Sequence, residues 1–202
     1  MTYTLKSNIA VLALSAAFIP ALALAHGNGN KAHQTETYDF NNFDKISVSG
    51  VYDLDVKVGE SFNISLSGHE QEMENLKVYQ NGDTLYLGKK NKKQTYKNSN
   101  GIQTTITLPN LTGLKISGVA EGDITGIDAE DFDIRVSGVG EVTLAGRCDH
   151  MIAKVSGVGE ISAEDFKCQD VHVALSGVGE ANVYASNSVD VSASGVGEVN
   201  VW

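Results

Sequence analysis

The sequence of 202 residues is short of positive charge, proline and long hydrophobic runs. It has 15 lysines and arginines against 25 aspartates and glutamates, a formal charge of −10. This balance argues against a nucleic-acid partner, because binding phosphates requires a basic face. Two prolines and 42% hydrophobic residues argue against a disordered chain. The composition therefore favours a folded, acidic protein.

The one long hydrophobic run lies at the N-terminus and has the pattern of a secretory signal. Lys6 precedes an apolar run over 9–24, and an Ala-x-Ala site ends at Ala25, directly before His26. This pattern predicts a signal peptide over 1–25, cleaved between Ala25 and His26. No later run approaches the ~20 residues that cross a bilayer. We expect an exported protein, periplasmic or at the cell surface, with no integral membrane segment after cleavage.

Glycine is abundant, at 21 residues, and its excess is periodic. The pentapeptide Ser-Gly-Val-Gly-Glu, with Ala for the second Gly in the first copy, recurs at spacings of 20, 19, 20 and 18 residues. A period of this size is typical of a solenoid. A related Ser-Gly-Val-Tyr-Asp occupies 49–53. The five copies begin at Ser117, Ser137, Ser156, Ser176 and Ser194.

Apolar and polar residues alternate on both sides of each Ser-Gly pair. Around Ser137 the apolar positions are Ile134, Val136, Val142 and Leu144. A period of two predicts two short strands per repeat with one buried face, and the glycines are expected to supply the backbone angles of a tight corner. Val139 is expected to turn inward there. Coils of 18–20 residues without a helical stripe predict an all-β parallel β-helix with strands ~4.8 Å apart.

The segment before the regular coils is less periodic. We assign 26–37 to a flexible leader and 38–202 to one domain. Within it, 38–110 forms a variant capping part and 111–202 the regular coils. Residues 76–87 read as a hairpin that turns at an Asn-Gly-Asp sequence.

Three sequence features together resemble the head GIN domain family, described as putative auto-transporter adhesins. They are the opening Phe-Asp-Lys-Ile-Ser-Val-Ser-Gly at 43–50, the Leu-Pro-Asn-Leu segment at 108–111, and the Ser-Gly-Val-Gly-Glu coils. The likeness covers almost all of 38–202. It implies a short right-handed parallel β-helix that is exported from bacteria, without an established biochemical activity. The adhesin description implies surface attachment.

The repeated glutamate is predicted to form an acidic ladder along one corner of the solenoid. Two carboxylates ~5 Å apart repel by about 0.8 kcal/mol in water. Calcium is the one candidate cofactor, because it takes several oxygen ligands and would bridge neighbouring coils. The alternative, which the incomplete ligand set favours, is a solvated corner partly neutralised by Lys115, Arg135 and Lys154. The ladder consists of Glu121, Glu141, Glu160, Glu180 and Glu198.

The two cysteines occupy equivalent positions of neighbouring coils. Cys148 and Cys168 each precede the next Ser-Gly serine by eight residues. Stacked coils bring such positions within the usual Cα separation of a disulfide, and export makes oxidation plausible. The alternatives are two separate thiols, or a metal pair with His150 nearby.

Three weaker sequence features also have a functional interpretation. Cleavage would leave His26 at the N-terminus, as in copper sites built on a terminal histidine, although a mobile leader accounts for it as well. The lysine-rich loop 89–97 is either solvated or a contact for anionic lipid or glycan. Arg135 with Asp131 and Asp133 resembles the groove residues of polysaccharide-active β-helices, but other catalytic signatures fail.

The C-terminal segment 199–202 ends in strand pattern without a capping element. Either Trp202 folds over this bare edge, or a second molecule stacks on it. The leading hypothesis is a non-enzymatic exported β-helix that binds a glycan or another surface polymer through its outer ladders. The alternatives are an assembly protein that stacks through the C-terminal coil as a homo-oligomer, and a polysaccharide-active enzyme.

Overall fold

The computed structural model describes residues 33–91, 93–94 and 101–202. These residues form thirteen strands in one sheet and one short helix. No helix among these described residues is long and apolar enough to span a membrane. The predicted signal peptide, with its cleavage site between Ala25 and His26, lies outside the described residues.

In chain order the elements are β1 (His33–Tyr38), β2 (Lys45–Val48), β3 (Val51–Val58), β4 (Asn63–His69), α1 (Glu70–Glu74), β5 (Leu76–Asn81), β6 (Thr84–Lys89), β7 (Ile102–Leu108), β8 (Gly113–Ile116), β9 (Val119–Val136), β10 (Val139–Val155), β11 (Val158–Leu175), β12 (Val178–Ala193) and β13 (Val196–Val201).

The C-terminal half is a parallel β-solenoid of about four turns. Each of β9 to β12 makes one coil, and each coil pairs in parallel with the next in the order β9-β10-β11-β12-β13. The register follows the repeat, so Val136 pairs with Val155, which pairs with Leu175. The prediction of an all-β solenoid with coils of 18–20 residues is confirmed.

The N-terminal part is irregular, as expected. Strand β3 pairs in parallel with both β7 and β9, β4 pairs antiparallel with β7, and β1 covers the outer edge of β4. Strands β5 and β6 form the predicted hairpin, with Gly82 in its two-residue turn at φ 60°. The sheet includes residues 33–37, which the sequence analysis assigns to the leader. The remainder of that leader lies outside the described residues.

The core fills the inside of the coils with the apolar positions of the repeat. Ile134, Val136, Val142 and Leu144 are all fully buried, as the alternation predicts. The same core positions in the last coil, such as Val191, are exposed because no further described coil covers them.

The Ser-Gly corners bring backbones of neighbouring coils into close contact. Gly157 does not adopt a left-handed φ, so the expectation that this glycine supplies unusual backbone angles is wrong. Instead, the amide of Val158 donates a hydrogen bond of 2.9 Å to the carbonyl of Gly138. The corner is tight because adjacent coils touch through their backbones.

Candidate functional site

The repeated glutamates lie in register on neighbouring strands and form a continuous ladder. The pairing β9-β10-β11-β12-β13 aligns all five of them, and Asp53 of β3 pairs with Glu121. The ladder therefore has six carboxylates, one more than the sequence analysis assigned. At the strand spacing of ~4.8 Å they extend over five intervals. Its members are Asp53, Glu121, Glu141, Glu160, Glu180 and Glu198.

A column of exposed valines runs beside this carboxylate ladder. Val139 is 50% exposed, and its equivalents are exposed to 45–71%. The expectation that Val139 turns inward is wrong, because Val142 and Leu144 face the core and alternation then places Gly140 inside and Val139 outside. We call this feature the valine column. It consists of Val119, Val139, Val158, Val178 and Val196.

The carboxylate ladder and the valine column together line a groove along the solenoid. The groove has a volume of about 800 Å³, and the second repeat glycine, such as Gly159, also lines it. Each coil contributes one valine and one glutamate, two residues apart on the same outward face. The same chemical environment therefore recurs at every coil.

Neutral donors, rather than cations, contact the ladder. Ser162 donates to Glu160 Oε1 at 3.3 Å, and Asn200 donates to Glu180 Oε1 at 3.2 Å. Among the described residues, no lysine or arginine nitrogen lies within 4 Å of a ladder carboxylate. The described residues also contain no cluster of three or more His, Cys, Asp or Glu side chains arranged to hold a metal ion.

The three cations expected to neutralise the ladder lie on the segments that precede the Ser-Gly corners, whereas the ladder glutamates follow those corners. Arg135 instead pairs with Asp133 of its own strand, and its guanidinium donates to both carboxylate oxygens at 2.7 Å. These hydrogen bonds, and the attraction of Asp133, raise the pKa of Arg135. Lys115 and Lys154 have no ion pair in the described part of the chain.

Cys148 and Cys168 are paired in register on adjacent coils and are joined by a disulfide. Their Cα atoms lie 4.5 Å apart, with the sulfur atoms at 2.09 Å, and both side chains are buried. His150 points outward, with its Nδ1 3.5 Å from Asp170 Oδ2. The imidazole is thus engaged with the next coil rather than with the cysteines.

The remaining candidates are His26, the lysine loop and Trp202. His26 lies outside the described residues, as do Lys92 and Lys97 of the lysine loop. Trp202 extends the last strand by donating its amide to the carbonyl of Val183 at 3.0 Å, and its side chain stays 66% exposed. The tryptophan therefore does not cover the end of the solenoid.

Sequence reasoning missed Asp53 and the outward direction of the valine column, although signals for both were present. The early copy at 49–53 carries an acid at the glutamate position. Counting back by twos from Val142 places Gly140 inside and Val139 outside. The alternation rule thus extends through the glycine-rich corner, although the strands themselves are interrupted at residues 137–138.

The chain is similar to one protein family and to solved structures, and the likeness to the Bacteroides fragilis structure supports the same fold. The family model described as "Putative auto-transporter adhesin, head GIN domain" matches residues 42–202. A "putative adhesin" from Bacteroides fragilis is 20% identical with a TM-score of 0.63, and the match covers 86% of this chain and 98% of that one. A "putative cell adhesion protein" from Clostridium sporogenes is 15% identical, with a TM-score of 0.44 over 84% and 99% of the chains. A search of the curated proteins finds no match.

Proposed function

This chain belongs to the head GIN domain family of "putative auto-transporter adhesins", and from that premise we propose that it is an exported, non-enzymatic binding module of the adhesion type. It binds a glycan or another surface polymer, in the periplasm or at the cell surface. The signal peptide predicted over 1–25 supports export. The family description supports a surface role.

The observation that carries this proposal is the groove between the valine column and the carboxylate ladder. A groove that repeats one valine and one carboxylate at every coil suits a polymer with repeating units better than a single small molecule. The valines offer apolar contact, and the carboxylates accept hydrogen bonds from hydroxyl groups. Exposed apolar surface of this kind is typical of an interaction site.

Calcium is the candidate cofactor of this groove. Neighbouring ladder carboxylates, such as Glu141 and Glu160, lie on adjacent paired strands. A calcium ion between them would reduce their repulsion and complete its coordination with polymer hydroxyls and water. Binding would then depend on calcium, and a chelator would reverse it.

The proposal is tested by a glycan-array screen of the purified protein, with calcium and with chelator. We expect reproducible binding to one class of polymer. The variant Glu141→Gln/Glu160→Gln/Glu180→Gln is expected to lose it. The matched control, Glu60→Gln/Glu70→Gln/Glu164→Gln, removes the same charge away from the ladder and should bind normally.

Three results would contradict the proposal. They are no binding in either condition, equal loss in both variants, or shortening of the bound polymer. Shortening that is lost in Arg135→Gln would favour the polysaccharide-active enzyme instead. Loss of binding with chelator alone would place a cation on the ladder.

Assembly through the last coil is a second candidate, favoured by one observation. Val189 and Val191 are 40% and 43% exposed, whereas Val171 and Val173, their partners in the coil below, are buried. A second copy that stacked on this edge would bury them and pair the free strand edge. Sedimentation velocity should then show concentration-dependent dimers, which Val191→Lys abolishes and Val119→Lys does not. A monomer at all concentrations would refute this candidate.

A further inference from the structure

The face of the solenoid that precedes the Ser-Gly corners carries a second ladder, distinct from the carboxylate ladder. Strand pairing in the order β5-β6-β2-β8-β9-β10 aligns six outward residues. Their chain neighbours on either side are mostly buried, so the six side chains share the outer face. We call them the cation–tyrosine ladder. It consists of Tyr79, Tyr86, Ser47, Lys115, Arg135 and Lys154.

One end of this ladder is a pair of stacked tyrosines. The rings of Tyr79 and Tyr86 lie 4.8 Å apart at an angle of 7°, and Lys77 Nζ lies 4.8 Å from the centre of the Tyr79 ring. The stacking fixes the rings, so both phenol groups are held in defined positions at little further entropic cost. Their hydroxyls are then hydrogen-bonding groups in line with the cations.

The other end is a row of three cations on consecutive strands. In the strand register Lys115 lies opposite Arg135, and Arg135 lies opposite Lys154. Like charges in direct register repel, which costs stability unless an anion lies between them. Asp133 engages Arg135, but neither lysine has an ion pair within the described ranges. The row therefore retains positive charge on a protein whose net charge is −10.

A groove runs along the four middle members of the ladder. It has a volume of about 330 Å³ and is lined by Tyr86, Ser47, Lys115 and Arg135, with Lys45 and Asp133 on its side. Lys45 itself pairs with Asp83 at 2.6 Å. Five strand intervals separate Tyr79 from Lys154, which is ~24 Å at the usual spacing. The ladder is a row of hydrogen-bond donors of that length, with no carboxylate among its six members.

We propose that the cation–tyrosine ladder is a binding site for a linear acidic polysaccharide that carries carboxylate groups on its sugar units. The cations neutralise the carboxylates, and the tyrosine and serine hydroxyls bind the ring hydroxyls. The tyrosine rings stack on each other rather than standing apart to receive bases, and the site has only a few cations. Both features favour a polysaccharide over a nucleic acid.

The site is tested by calorimetric titration of the purified protein with polygalacturonate oligomers at low salt. Binding is expected, and it should weaken as salt is added. The variant Lys115→Gln/Lys154→Gln is expected to bind about tenfold more weakly, from the loss of two exposed charge contacts. The control Lys57→Gln/Lys167→Gln removes the same charge from lysines outside the ladder and should bind as the unchanged protein does.

Four results would overturn the inference. They are no binding, an equal loss in both double variants, binding of a neutral dextran of the same length, or equally tight binding of single-stranded DNA. Glu141→Gln/Glu160→Gln/Glu180→Gln should bind polygalacturonate at least as tightly as the unchanged protein. The two faces are thereby tested separately, since this inference does not rest on the function proposed for the carboxylate ladder. Thermal unfolding of each variant verifies that it is folded.

Discussion

Gly157 lies so close to Gly138 of the preceding coil that a Cβ atom on Gly157 would be 1.9 Å from the carbonyl oxygen of Gly138. The same distance recurs in the coils above and below, where Gly138 approaches Gly118 and Gly177 approaches Gly157. This close approach explains why the residue after each repeat serine is always glycine. It also makes the corner the most sequence-restricted part of the coil.

We therefore expect Gly157→Ala to destabilise the solenoid strongly. The methyl group would separate two coils that are joined by backbone hydrogen bonds, at a cost of about 3 kcal/mol or more. Denaturant unfolding measures the loss. Gly122→Ala is the control, since its Cβ would meet only side chains, the nearest atom being Ile124 Cδ1 at 3.3 Å. Equal stability of the two variants would contradict the argument.

The disulfide between Cys148 and Cys168 is expected to stabilise the fold by closing a loop of twenty residues in the unfolded chain. The loop-closure estimate for this length is about 3 kcal/mol. Urea unfolding of the oxidised and reduced protein should differ by roughly this amount. Mass spectrometry after alkylation of the unfolded, unreduced protein provides the check. Labelling of both cysteines would show that the bond does not form.

Repulsion along the carboxylate ladder should make Glu141→Gln stabilising at low salt. Glu141 stands between Glu121 and Glu160 in register, so removing its charge relieves two contacts, each of about 0.8 kcal/mol or less in water. The gain in melting temperature should shrink at 1 M salt, where the screening length is only ~3 Å. Glu60→Gln, off the ladder, should show no such gain. A salt-independent effect would refute the electrostatic explanation.

Asp170 is expected to make the last coil sensitive to acid. Hydrogen bonds from Ser188 and Asn187, and then the attraction of His150, hold the pKa of Asp170 below its usual value. A carboxylate with a depressed pKa in the folded state contributes stability above its unfolded pKa of about 4, and that stability is lost as pH falls through the folded value. Below pH 4, the melting temperature should therefore fall more steeply in the unchanged protein than in Asp170→Asn.

The control for this acid effect is Asp165→Asn. Within the described residues the Asp165 carboxylate has no side-chain hydrogen bond, so its removal should leave the slope below pH 4 unchanged. Parallel curves for the unchanged protein and Asp170→Asn would show that the hydrogen bonds from Ser188 and Asn187 do not favour the ionised form.

The sequence predicts the coils well and the N-terminal part poorly, for one physical reason. In 111–202 every strand pairs with a copy of itself, so the spacing of the repeats gives the register directly. In 38–110 most pairing partners are unlike one another in sequence, apart from the motif copy at 49–53, which pairs with its equivalent in β9. Strand β6, for example, lies between β5 and β2, and no spacing in the sequence indicates its pairing with β2.

The candidate sites divide in the same way. The repeat indicates five ladder glutamates, and the early copy at 49–53 already holds the acid that becomes the sixth member. The cation–tyrosine ladder is not visible in the sequence, because Tyr86 and Lys115 come from segments that share no motif. Only the pairing of β6 with β2 and of β2 with β8 brings them into one row.

The sequence by itself determined the solenoid, its period and its buried positions, because alternation and repetition are local properties that strand geometry converts directly into structure. Only the tertiary structure decided which outward residues from unlike segments become neighbours across strands. The pairing of β2 with β6 and with β8 placed Ser47 between Tyr86 and Lys115, in one row with the cations. It also left the core side of the last coil without a covering coil in the described part of the chain. Such contacts depend on pairing between distant segments, which the local pattern of the chain does not specify.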